Sequence, residues 1–295
     1  MRHSQGIRLT LVVTTVTLLA CARTGGLEQA GDTSKPFSES AISIDGRIGV
    51  ASLVSLSDAH FQKMADSLQV LALSGAAQSG DWAQIKRPLA EVAKRNVAAL
   101  NWFALPDGSY WSVQSDKEPG NLAGRDYFPM ALAGQTVIGE LVVSKSTDKP
   151  VAIVAVPVHG EKGAVVGVLG ASVYLDQLSA RLSWEMDLDD GVIFYAFDRT
   201  GRFSLQWDPS LIFLEAGEKA EEEASRAIEE MLSKQQGVMT HRFRGNDRIV
   251  LFRRSPVTGW WLSGSFPRAE EKARHQRERI ENLICTALGV SNEVY

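Results

Sequence analysis

Cysteine is almost absent from this chain: 295 residues contain two, Cys21 and Cys285. That excludes a disulfide framework, so packing has to supply the stability. Histidine is sparse too, at positions 60, 159, 241 and 275 beyond the N-terminus, and no spacing among these suits a zinc site. Neither a phosphate-binding P-loop nor the glycine fingerprint of a dinucleotide site occurs, so no cofactor and no metal are expected. A net charge of −4 without a long basic cluster argues against a nucleic-acid partner, and 44% hydrophobic content argues against disorder. Only one long hydrophobic run is present, at the very start. With none after it, the expectation is a chain without an attached cytoplasmic output module.

That run is short. Arg2, His3 and Arg8 precede an apolar segment from Leu9 to Leu19, well under the roughly twenty residues of a membrane span, which makes it an export signal. Leu18-Leu19-Ala20-Cys21 resembles the bacterial lipoprotein box, whose cysteine becomes the lipidated first residue of the mature chain. The expected organisation starts with a signal peptide over 1–20, lipidation at Cys21 and a flexible tether over 21–39, where Gly, Thr, Ser and charged residues dominate. Lipidation of Cys21 leaves Cys285 without an intrachain partner, as a half-buried thiol in the last helix. The chain is then exported and lipid-anchored at the cell envelope, on the periplasmic side of the inner or outer membrane.

From Asp58 to Leu73 the apolar residues Phe61, Met64, Ala65, Leu68, Leu71 and Ala72 recur at three- and four-residue steps, the stripe of an amphipathic helix. A second helix follows Asp81, a suitable N-cap, with a start or kink near Pro88. The period then becomes two. Strands over 99–104 and 109–114 flank Leu105-Pro106-Asp107-Gly108, a tight hairpin turn. Strands at 137–143, 151–158 and 164–173 complete an expected five-stranded antiparallel sheet, with short helices at 127–132 and 175–182. The pattern recurs in outline: strands at 192–198, 202–206, 238–244, 248–253 and 260–265 surround a Glu-rich helix at 217–234. Trp260 and Trp261 are expected in the core and on the surface of the last strand. A helix from Arg268 to about Leu288 closes the chain.

At this point the residues carry a family likeness. Gly124-Arg125-Asp126-Tyr127-Phe128, then Val142-Val143-Ser144-Lys145-Ser146-Thr147, the runs Val151 to Val158 and Val166 to Gly170, Phe197 to Gly201 and Ser255 to Trp261 together resemble the double Cache sensor domains of bacterial chemoreceptors and histidine kinases, here as a stand-alone lipoprotein. The resemblance covers roughly Ser40 to Arg268. It implies an α+β fold in which a long N-terminal helix lies along two PAS-like lobes, each a mainly antiparallel sheet with flanking helices. The implied divisions are a long helix at 40–80, a membrane-distal ligand-binding lobe at 81–183, a membrane-proximal lobe at 184–267 and a C-terminal helix and tail at 268–295. It also implies a receptor, with a small molecule bound in the distal lobe.

The chemistry of that site can be argued from residue types. Arg125 just before Tyr127 and Phe128 offers a planar fork for a carboxylate, with ring faces and a phenol to close over it. Trp102, Tyr110 and Trp111 are candidate aromatic walls, although alternation points only one of Tyr110 and Trp111 inward. Ser144 and Ser146 share a face and offer hydroxyls, while Lys145 points the other way if that segment is extended. By the resemblance, a tyrosine expected before the arginine falls at Gly120, and the aspartate that holds an amine falls at Ser144. The carboxylate-binding half of the motif survives better, which favours an organic acid or another polar metabolite over an α-amino acid.

An enzyme reading rests on Ser146-Thr147-Asp148-Lys149, which fits the S-x-x-K pattern of penicillin-interacting serine enzymes. That pattern needs a helix start, whereas Pro150 and the apolar run after it spell turn and strand. The accompanying S-D-N and K-T-G signatures are missing, and no enzyme is expected. The expected function is a lipid-anchored extracytoplasmic receptor that signals through a separate sensor kinase or chemoreceptor in the membrane. The alternatives are solute capture for a transporter and a structural envelope role without ligand.

Overall fold

A computed structural model describes residues 39–188, 191–214, 222–243 and 246–268. The expected signal peptide, the lipidation site, the tether before Glu39, the helix after Arg268 and Cys285 lie outside the described residues. Among the described residues, no helix is long and apolar enough to cross a membrane.

Helix α1 (Glu39–Ala72) is the first element. Leu53, Val54, Phe61, Met64, Ala65, Leu68, Leu71 and Ala72 are buried along it, while Val70 and Leu73 stay exposed, so one stripe faces the rest of the fold. The helix ends at Ala72 instead of continuing to residue 80. Ser74 interrupts it, its side chain accepting from the Ala77 amide to cap a short helix α2 (Gly75–Gln78). Helix α3 (Trp82–Arg95) starts at Asp81, whose carboxylate accepts from the Ala83 amide at 3.0 Å, and it runs through Pro88.

The first sheet is built from β1 (Ala99–Ala104), β2 (Ser109–Ser112), β3 (Asp116–Asn121), β4 (Val137–Val143), β5 (Pro150–His159) and β6 (Val165–Tyr174), with helix α4 (Tyr127–Leu132) between β3 and β4 and α5 (Leu175–Met186) after β6. Its order is β3-β2-β1-β6-β5-β4. It has six strands where the sequence suggests five, because β3 reads Asp-Lys-Glu-Pro-Gly-Asn and carries no strand-forming residue. Such a strand is tolerated at an edge, where a proline leaves no ladder bond unmade.

Alternation divides this sheet into two buried faces. Phe103, Ala152, Val154, Val156, Leu169, Ala171 and Val173 join the α1 stripe in one core. Trp102, Ala104, Tyr110, Val151, Ile153, Ala155 and Val168 form the other with Tyr127, Phe128 and Ala131 of α4.

The second sheet contains β7 (Ile193–Phe197), β8 (Phe203–Gln206), β9 (Gln236–Phe243), β10 (Asn246–Arg254) and β11 (Trp261–Pro267), in the order β8-β7-β11-β10-β9, with helix α6 (Glu222–Leu232) before β9. Trp261 is 5% exposed, not a surface residue. It stacks on Phe197 with ring centroids 6.2 Å apart, and its indole donates to the Lys234 carbonyl at 2.8 Å. The expected outward position fails because Met231 and Ile228 of α6 cover that face.

Helix α1 ties the two sheets together. Phe61 meets Trp260 edge-on at 5.2 Å, and the Trp260 indole donates to the Gly139 carbonyl of β4 at 3.0 Å. Lower on the helix, the Ser255 hydroxyl donates to Asp58 at 2.5 Å while accepting from the Val257 and Thr258 amides. Burial raises the Asp58 pKa above its ordinary value, opposed by the Ser255 hydrogen bond and by Arg253. The folded-state pKa therefore lies above the unfolded one, so this group's contribution is fullest in acid and declines as pH rises through the folded pKa. Accordingly, the Tm of Asp58→Asn relative to wild type should climb between about pH 3 and pH 7. A Tm difference that falls over that range would mean the Ser255 bond outweighs the burial.

Candidate functional site

The site grows from β1. Trp102 lies directly opposite Gly170 of β6, and a Cβ at position 170 would fall 2.1 Å from the indole ring. Glycine there lets the ring lie across the strand, where its N–H donates to the Ser172 hydroxyl at 3.1 Å. The β1-β2 hairpin turns Tyr110 to the same face, its ring 6.5 Å from Trp102 at 78°. Tyr127 opens α4 and brings its ring to 6.3 Å from Trp102.

Two backbone segments close over these rings. After β3, the Arg125 amide donates to the Leu122 carbonyl in a turn, and the Arg125 guanidinium reaches the Val143 carbonyl at 2.6 Å. After β4, the chain turns over 144–149, with the Ser144 amide donating to the Lys149 carbonyl and the Asp148 amide to the Ser144 carbonyl. The Tyr110 hydroxyl and the Ser146 hydroxyl share a 2.7 Å hydrogen bond. Lys145 donates to the Asn121 carbonyl at 2.6 Å.

These groups surround a cavity of about 20 Å³, walled on its apolar side by Leu100, Leu122, Val142 and Ile153. That is room for about one water. The lining contains Arg125 and Lys145 and no carboxylate among the described residues. Burial holds the Tyr127 phenol far above its ordinary pKa. It raises Tyr110 as well, with Ser146 opposing and Glu118 assisting. Both phenols are therefore protonated donors at neutral pH. A surface rich in donors, with two cations, suits an anion.

Trp102, Tyr110, Arg125, Tyr127, Ser144 and Ser146 thus come together. Two expected members do not line the cavity. Phe128 is fully buried in the same apolar cluster, one helical step of about 100° beyond Tyr127. Trp111 is half-buried against the other core, on the α1 side of the sheet, as alternation from Tyr110 requires. Lys145 and Ser172 line the cavity although the sequence reading did not include them. For Lys145 the cue was the turn composition before Pro150, since in a turn the two-residue alternation no longer holds. The same turn disposes of the S-x-x-K reading, because Ser146 opens no helix.

A wider groove of about 700 Å³ runs between α1 and β9-β10, past Arg47, Ile48, Val238 and Phe252. It is an open groove of mixed character, with Arg47, Gln236 and Arg253 beside its apolar side chains and no side-chain hydroxyl in its lining. Among the described residues, no group of three or more His, Cys, Asp or Glu could hold a metal ion.

A family model described as Cache domain (dCache) matches residues 45–274. No curated protein sequence matches the chain significantly. Among solved structures, the chain is similar to an extracellular ligand binding receptor from Desulfohalobium retbaense at 15% identity and a TM-score of 0.61, covering 75% of this chain and 40% of that one. It is also similar to the sensor domain of the V. cholerae histidine kinase DctB, at 15% identity and a TM-score of 0.59, covering 78% and 98%. A third is the ligand binding domain of the Pseudomonas aeruginosa amino acid chemoreceptor PctC in complex with GABA, at 20% identity and a TM-score of 0.56, covering 76% and 97%. At these identities the likeness is one of fold.

The Trp102 wall can be tested without touching a polar group. Gly170→Ala should cost about 1–3 kcal/mol in urea unfolding through the displaced indole. Gly124→Ala, whose added methyl meets nothing within 4 Å, should be near neutral. Equal stabilities for the two variants would show that the ring is free to move.

Proposed function

Because this chain belongs to the Cache domain family, whose members are sensory domains that bind small ligands, we propose that it is an extracytoplasmic receptor for a small polar metabolite, a carboxylate, captured in the lobe at residues 81–183. In this reading the mature chain is lipid-anchored through Cys21, and a separate sensor kinase or chemoreceptor in the membrane receives the signal. The lobe at 184–267 and α1 are the surfaces left to carry a change in shape to that partner.

The observation that carries the reading is the gathering of Arg125, Tyr127, Tyr110 and the serine hydroxyls around one carboxylate-free cavity. Arg125 supplies the fork, and the protonated phenols supply further donors. Ser144 stands where the amine-binding aspartate of the amino-acid receptors is expected, so no carboxylate in the lining is there to pair with an ammonium group. An occupant larger than a water requires the two covering segments to separate, which lowers the apparent affinity by the fraction of molecules that are open. The small cavity favours one competing reading, an envelope role without ligand. Capture of a solute for a transporter would use the same site.

A thermal-shift screen of the purified chain against organic acids, amino acids, amines and purines separates these readings. Ligand at a hundredfold over its Kd should stabilise the protein by about 2.7 kcal/mol. A carboxylate should give that shift in wild type and fail to do so in Arg125→Ala. A shift that survives the substitution keeps the receptor and removes Arg125 from the site, whereas a silent panel supports the ligand-free role. Separately, Cys21→Ser should move the chain from the membrane fraction to the soluble exported fraction, and retention in the membrane would remove the lipid anchor from the proposal.

A further inference from the structure

Arg125 and Lys145 each hold the other's backbone segment. The Arg125 guanidinium, on the segment after β3, donates to the Val143 carbonyl at the end of β4. Lys145, in the turn after β4, donates to the Asn121 carbonyl at the end of β3. Both bonds are 2.6 Å long, and both cations border the same cavity. Among the described residues, neither cation pairs with a carboxylate. Glu118, the one buried carboxylate among the described residues, accepts from the Ser112 hydroxyl at 2.5 Å and does not line the cavity.

We propose that Lys145 is a second anion-binding group of this cavity and that, with Arg125, it selects a compact ligand bearing two negative charges. The proposal rests on the receptor reading above and names the ligand class for it. A backbone carbonyl is a neutral acceptor, so each bond satisfies a donor while leaving the cation's charge uncompensated. A carboxylate or phosphate oxygen makes a stronger, charge-assisted bond with the same donor. A monoanion would satisfy one cation and leave the other facing a neutral carbonyl, whereas a dianion satisfies both.

Closure follows from the same bonds. Opening the cavity requires the two carbonyl contacts to break, and each cation that leaves its carbonyl is then free to take a ligand oxygen. The half-buried Arg125 offers a planar fork for one end of the ligand. Lys145 is exposed, and its flexible stem can follow the other end. The Tyr110–Ser146 bond ties the Lys145 turn to the aromatic wall, so the turn and the wall respond together.

The test is titration calorimetry on the full chain with matched pairs, acetate and malonate, propionate and succinate, butyrate and glutarate, together with inorganic phosphate. Wild type, Lys145→Gln and Arg125→Gln are compared. At least one dicarboxylate should bind wild type about ten- to a hundredfold more tightly than its monocarboxylate partner, the range of a charged hydrogen bond. Lys145→Gln should abolish that preference, bringing the two members of each pair to similar affinity, and Arg125→Gln should weaken both members of the pair. Phosphate binding that depends on Lys145, with no dicarboxylate bound, supports the dianion site and assigns it to phosphate. A preference that survives Lys145→Gln, or an equal loss for both members of the pair, overturns the proposal and leaves Lys145 a loop clamp. If the wider screen yields only neutral or cationic ligands, this proposal fails while the receptor reading stands; if it yields none, both fail.

Discussion

The indole of Trp260 is the contact on which the two halves of the fold depend. Its ring packs perpendicular to Phe61 of α1, and its N–H reaches the Gly139 carbonyl in the outer strand of the first sheet. That carbonyl is available because β4 bulges between Ile138 and Glu140. Gly139 adopts φ +88°, and a Cβ there would fall 2.9 Å from Thr258, so only glycine allows the strand to come this close. Arg202 adds a second tie from the other half, donating to the Leu141 carbonyl at 2.9 Å. Each hydrogen bond contributes about 1 kcal/mol, but leaving the buried indole or carbonyl unpaired would cost more. Helix, junction and edge strand therefore stand or fall together.

The same strand supplies half of the candidate site. From Gly139 and Leu141, β4 continues through Val142 and Val143 into the turn that presents Ser144, Lys145 and Ser146. One end is fixed by side chains of the second half, and the other end is held by Arg125 and Lys145 through their carbonyl contacts. Position at the site is thus set partly by residues beyond residue 200 in the sequence, which is why no local pattern around Ser144 reveals it.

What could be read in advance depended on how regular each segment is. The apolar runs of β5 and β6 and the stripe of α1 announce themselves by β-branched content and by period. The Asp-Lys-Glu-Pro-Gly-Asn strand does not, because its pairing with β2 comes from its place at an edge and not from its side chains. In the site, Trp102, Tyr110, Arg125 and Tyr127 were legible as residue types in order along the chain. Lys145 points away from Ser144 and Ser146 only in an extended segment, and that alternation stops at the turn. Trp261 shows the converse failure: a strand covered on both faces, here by α6, buries residues that alternation would place in water.

Neither margin of the first sheet offers a free row of backbone groups to another chain. On one side, the β4 carbonyls at Gly139 and Leu141 are already engaged by Trp260 and Arg202. On the other, β3 contains Pro119, which has no amide to donate, beside the charged Asp116 and Lys117. Strand addition, the simplest route by which sheet proteins join one another or aggregate, is thereby blocked at both ends of this sheet. Any macromolecule that docks on this part of the protein must recognise side chains.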